Sequence, residues 1–128
     1  MSSLATILCV DDEELSLKIR KLVLEGAGYT VLTATTSDAA LVLFETNNVD
    51  LVITDHILPG LCGTELAQKM KKLKPSVPIA LLTGLPDPPE GAAHADCVIV
   101  KGEEPPAVLT KIAEILSLKP KSKGASAR

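Results

Sequence analysis

Five short apolar runs punctuate the chain: TILCV (6–10), YTVLTA (29–34), LVIT (51–54), PIALLT (78–83) and CVIV (97–100). Most of the stretches between them carry apolar residues at helical spacing. That alternation restricts the fold more than any other feature. Each run is too short for a stable helix and nearly continuous in apolar residues, the pattern of a strand covered on both faces. Strand and helix alternating five times predict an α/β domain built on a doubly wound parallel sheet, and right-handed crossovers leave few ways to connect it.

The intervening stretches support this reading. In EELSLKIRKLVLEGAG, Leu15, Ile19, Leu22 and Val23 recur at helical spacing, and Gly26 or Gly28 supplies the stop. Ser37 is the expected cap of a second helix carrying Ala40, Leu43 and Phe44 on one face. A third helix is expected from Thr64 to Leu73, with Leu66, Met70 and Leu73 inward and Pro75 beyond its end. The last runs from about Pro105 to Leu118, with Val108, Leu109, Ile112 and Leu116 toward the core and a proline in its first turn.

The chain has 128 residues and is 46% hydrophobic, enough for one compact domain and little more. One Tyr, one Phe and no Trp leave an aliphatic core and poor support for stacking on bases or flavin rings. No apolar run approaches the ~20 residues of a membrane span, and MSSLATILCVDDEE lacks the basic start of a signal peptide. A cytoplasmic location is expected. Cys9, Cys62 and Cys97 have no metal-like spacing, and two of them lie in apolar runs, so buried reduced thiols are expected.

Charge is unevenly spread. Lys119, Lys121, Lys123 and Arg128 fall in KPKSKGASAR, a basic flexible tail over residues 119–128. Setting those four aside leaves 9 basic against 16 acidic groups, a net charge of −7, which disfavours nucleic acid as a direct partner. Lys69, Lys71, Lys72 and Lys74 gather at the end of the third helix, where cations suit the dipole.

In parallel α/β sheets reactive groups collect at the carboxyl ends of the strands, where strand order switches. Here the first strand runs into Asp11, Asp12 and Glu13, the third into Asp55, the fourth ends in Thr83 and the fifth leads to Lys101. Alone, Thr83 is a strand-end hydroxyl and Lys101 a surface lysine; a shared rim gives both a chemical context. Asp11, Asp12 and Asp55 crowded together repel unless a cation sits among them.

This layout resembles the receiver domain of two-component response regulators. The resemblance covers residues 4–118 and rests on CVDDEE as the acidic pair, ITDHILPGLCG as the phosphoacceptor loop, LLTG as the hydroxyl position and VIVK as the lysine position. It implies a five-stranded sheet of order 2-1-3-4-5 and a Mg2+ site in which Asp12, Asp55 and the backbone carbonyl of Ile57 bind directly and Asp11 binds through water. Asp55 is then the phosphoacceptor, and Thr83 and Lys101 stabilise the phosphoryl group. Two strand spacings of ~4.8 Å separate the third and fifth strands, which only a long side chain crosses. His56 is a bystander, imidazole being a softer ligand than Mg2+ prefers.

The resemblance also implies a histidine kinase or phosphotransfer protein as donor, a downstream protein partner, a monomer or weak dimer, and a switch rather than an enzyme acting on outside substrates. A chain of this kind either works alone by docking or continues through a linker beginning near Lys119. The output side departs from the family. Val98 stands where an aromatic residue is common, and Gly102 follows the lysine in place of proline, so a trans peptide is expected, cis costing ~3 kcal/mol more. Pro86, Pro88 and Pro89 restrict the fourth helix, between Thr83 and Lys101, to one or two turns or an irregular path. Apolar Ile57 and Leu85 lead to an expectation of slow self-dephosphorylation.

Two other classes fit less well. A haloacid-dehalogenase-type phosphatase needs a second acid two residues after its nucleophile, where this chain has Ile57. A flavodoxin-like carrier needs a phosphate-cradling loop and stacking aromatics. The alternative within the family is a phosphorylation-independent interaction module, which the altered output side favours and the complete acidic set opposes.

Overall fold

A computed structural model describes residues 5–55, 63–83, 97–100 and 105–118. Five strands, β1 (Thr6–Val10), β2 (Thr30–Ala34), β3 (Leu51–Asp55), β4 (Ile79–Thr83) and β5 (Cys97–Val100), form one sheet. Its order is β2-β1-β3-β4-β5 and every pairing is parallel, the doubly wound arrangement expected from the sequence. Helices α1 (Glu14–Gly26), α2 (Ser37–Thr46), α3 (Gly63–Leu73) and α4 (Pro105–Leu118) complete the described elements. The stretch expected to hold a short or irregular helix, between Thr83 and Cys97, lies outside the described residues, as does the basic tail.

Alternation along the strands builds two cores. Leu8, Val10 and Val52 pack with Ala40 and Phe44 of α2 and Leu66 and Met70 of α3. Ile7, Cys9, Leu51 and Ile53 point the other way, onto Leu17 and Leu24 of α1 and Ile112 of α4. Successive strand side chains face opposite sides, so a central strand with helices above and below is apolar at every position. Accordingly, Ile7 to Val10 of β1 are all 0% exposed.

Local signals set the ends of α1 and α2. After α1, Gly28 takes φ 105°, and the amides of Gly28 and Tyr29 donate to the carbonyls of Glu25 and Leu24. This glycine-centred stop turns the chain into β2 while Tyr29 packs on the core that holds Leu24. At α2, the cap is Thr36 and not Ser37: the Thr36 hydroxyl accepts from the Ala39 amide at 3.1 Å, and Ser37 is the first helical residue. Lys74 reaches across from the end of α3 to the carbonyls of Phe44 (2.7 Å) and Asn47 (3.1 Å) at the end of α2. A cation there meets the negative end of the helix dipole.

Two expectations about helix faces fail. Leu15, Ile19 and Leu22 are 64%, 55% and 67% exposed, whereas α1 buries Leu17 and Leu24. Leu73, in the last turn of α3, is 48% exposed instead of inward. In α1 the inward stripe holds two leucines seven residues apart with Arg20 between them, and the helix rolls to bury that stripe. In α3, Leu66 and Met70 already fill the space over the sheet.

Candidate functional site

The register of the sheet brings distant acids to one level. Val10 of β1 is paired with Thr54 of β3, so Asp11 and Asp55, one residue further along each strand, emerge together at the carboxyl rim. Asp11 is held there by two bonds: its amide donates to the Ala34 carbonyl at 3.1 Å, and its Oδ1 accepts from the Glu13 amide at 3.0 Å. The second bond closes the turn from β1 into α1, so the chain leaves the strand with the Asp11 side chain fixed.

One carboxylate oxygen from each of Asp11, Asp12 and Asp55 lies within 4.8 Å of the other two. Asp11 and Asp55 are buried, 3% and 5% exposed, and Asp12 is exposed. The set is therefore open on the Asp12 side and walled by protein on the other. Three hard oxygen donors in that span suit a hard divalent cation of the Mg2+ or Ca2+ type rather than a soft metal.

Arg20 of α1 adds a positive charge that the sequence reading did not identify. Both terminal nitrogens of its guanidinium lie 3.5 Å from Oδ2 of Asp11. The signal was present: nine residues after Asp11, Arg20 interrupts the inward face of an otherwise apolar stripe. It was hidden because Leu15, Ile19 and Leu22 offered a more continuous stripe.

The neighbouring thiol takes no part. Cys9, on the strand that delivers Asp11, is fully buried, and its pKa is pushed up to about 12, chiefly by burial, with nearby Arg20 opposing and Asp11 reinforcing the rise. A neutral thiol is inert as nucleophile or metal ligand, in keeping with a buried reduced cysteine.

Of the residues expected at the site, the structure brings Asp11, Asp12 and Asp55 together. The β4 backbone places Thr83 at the same rim, one residue beyond Leu82, which pairs with Asp55. Val100, the last residue of β5, pairs with Thr83, and Val98 pairs with Leu81. Lys101, Ile57, His56, Cys62, Leu85 and Gly102 lie outside the described residues.

A parallel sheet of this order with clustered acids at its first and third strand ends is the arrangement of a receiver domain, and comparison with known proteins agrees. Residues 7–113 match the response regulator receiver domain family, and the chain belongs to it. It is 40% identical over 77 residues to the alkaline phosphatase synthesis transcriptional regulatory protein PhoP of Bacillus subtilis, covering 60% of this chain and 32% of that protein. The chain spans less than half the length of the curated relatives it matches. Among solved structures, a CheY-like response regulator receiver domain protein from Methanospirillum hungatei superposes with a TM-score of 0.86 at 35% identity, covering 94% of this chain and 100% of that one. The response regulator TrrA of Thermotoga maritima, solved in complex with Mg2+-BeF, gives 0.82 at 32% identity, covering 88% and 99%. Among the described residues, no helix is long and apolar enough to cross a membrane.

Proposed function

We propose that this protein is a phosphorylation switch in which Asp55 accepts a phosphoryl group from the phosphohistidine of a histidine kinase or phosphotransfer protein. The observation that carries this reading is the convergence of three carboxylates within 4.8 Å at the carboxyl ends of β1 and β3. Family membership and the Mg2+-BeF complex of the relative TrrA support it. Asp12, Asp55 and the Ile57 carbonyl would hold Mg2+, with Asp11 acting through water. The ion, when bound, supplies charge neutralisation for phosphoryl transfer.

The chain's own residues do the rest. An Asp55 carboxylate oxygen bonds to phosphorus as the phosphorus–nitrogen bond of the donor breaks, its electron pair leaving with the imidazole. A rigid, fully paired strand holds that carboxylate at fixed height, and most of the catalytic benefit in such a transfer comes from placement and neutralisation of charge. Thr83 and Lys101 would each hold a phosphoryl oxygen. The added charge of roughly −1.5 to −2 biases the surface offered to a downstream partner. The outcome is a change of binding partner and not turnover of an external substrate.

Incubation of the chain with acetyl phosphate and Mg2+, followed by intact-mass measurement, tests this. The expected result is a single phosphoryl adduct that chelator prevents and Asp55→Asn abolishes. No adduct on the parent chain would favour the phosphorylation-independent module, and an adduct that survives Asp55→Asn would overturn Asp55 as the acceptor.

A further inference from the structure

The Arg20 guanidinium stands against the acidic trio from inside the fold. It lies on the inward face of α1 between Leu17 and Leu24, its side chain is 20% exposed, and the Asp11 side chain it faces is 4% exposed. Leucine spacing alone would put an apolar residue there. A charge kept on such a stripe carries a desolvation cost, offset only if an opposite charge receives it.

The contact itself is loose. Strong guanidinium–carboxylate pairs form two parallel bonds at about 2.7–2.9 Å. Here both nitrogens converge on one oxygen, Oδ2, at 3.5 Å, while Oδ1 is engaged by the Glu13 amide. Arg20 is thus near enough to offset the charge of the trio and too loosely bound to be locked in place. The oxygen it faces belongs to a residue of the metal-binding set, so the guanidinium and an incoming cation compete for one patch of negative potential.

We infer that Arg20 is a tethered counter-cation: it stabilises the metal-free acidic trio through Asp11 and thereby weakens Mg2+ binding, setting the concentration at which the switch becomes competent. This rests on the Mg2+-dependent reading of the site given above. Arg20 acts through Asp11 and the local potential, so it is a positioning and tuning residue that touches neither phosphorus nor metal. By linkage, whatever Arg20 takes from Mg2+ affinity, Mg2+ takes from the worth of the Arg20–Asp11 pair.

Isothermal titration of the 128-residue chain with MgCl2 reads this directly, beside Arg20→Gln and Arg20→Lys. Removing a unit charge a few ångströms from a divalent ion in a partly solvated site should tighten binding about tenfold. Arg20→Gln is therefore expected to bind Mg2+ about tenfold more tightly, and Arg20→Lys to stay within about twofold of the parent, since it keeps the charge. Thermal unfolding with and without saturating MgCl2 supplies a second readout: Arg20→Gln should melt below the parent without the ion, and the gap should narrow with it. Loss of a merely structural contact would weaken Mg2+ binding and leave the gap open. Unchanged or weaker binding in a folded Arg20→Gln overturns the inference alone. Absence of Mg2+ binding in the parent chain overturns both the inference and the reading beneath it.

Discussion

Helices α1 and α2 flank the same end of the sheet on opposite faces, and they spend their residues differently. Helix α2 serves packing: Thr36 caps it, Ala40 and Phe44 are 0% exposed, and Lys74 covers carbonyls at its far end. Helix α1 has Glu13 at its cap with no side-chain cap bond, buries two leucines, and turns a guanidinium inward while three large apolar side chains face out. The contrast separates a helix placed by hydrophobic burial from one that must also border a cluster of acids. Beside the site, the stripe that goes inside carries a charge and is not the more continuous apolar one.

That contrast can be broken, beginning where α2 is strongest. Phe44→Ala empties the largest buried side chain of its core and also removes the ring beneath the Lys74 ammonium, so stability should fall by about 3–5 kcal/mol in urea unfolding. Mg2+ affinity of the still-folded fraction should be unchanged, because Phe44 belongs to the core under α2 and α3, whereas the Asp11 side chain is held by the Glu13 amide and Arg20. Thr36→Ala removes one cap bond and should cost about 1 kcal/mol. At the small end, Ile19→Ser on the outward stripe of α1 should change stability by less than about 0.5 kcal/mol, despite deleting an isoleucine at helical spacing. A loss of several kcal/mol there would return α1 to the ordinary pattern and erase its difference from α2.

The same two helices show what could be read from residues alone. The strands and the acids at their ends were legible because short continuous apolar runs and strand-end chemistry are local signals, whereas the order of the strands came from the family resemblance. Asp11, Asp12 and Asp55 could be named before their meeting was known. The inward face of α1 was not legible, because LSLKIRKLVL carries two stripes at helical spacing, Leu15–Ile19–Leu22 and Leu17–Leu24. Choosing between them requires knowing that Arg20 has Asp11 to face, which only tertiary placement supplies. The cap of α2 was missed by one position for a related reason: Thr36 and Ser37 both offer a hydroxyl, and the first helical turn decides between them. Leu73 was misplaced because periodicity continues to the end of α3, although Leu66 and Met70 already fill the space over the sheet.

The pairing of Val10 with Thr54 carries a last consequence. Two of the three acids sit on one strand's exit and the third on another's, with a full strand, two helices and their loops between them in the chain. No short fragment can assemble the trio, and a shift of one residue between those strands would turn the paired side chains to the wrong face. Assembly of the trio therefore waits on the pairing of β1 with β3, so whatever these carboxylates hold can be held only once the middle of the sheet is in place.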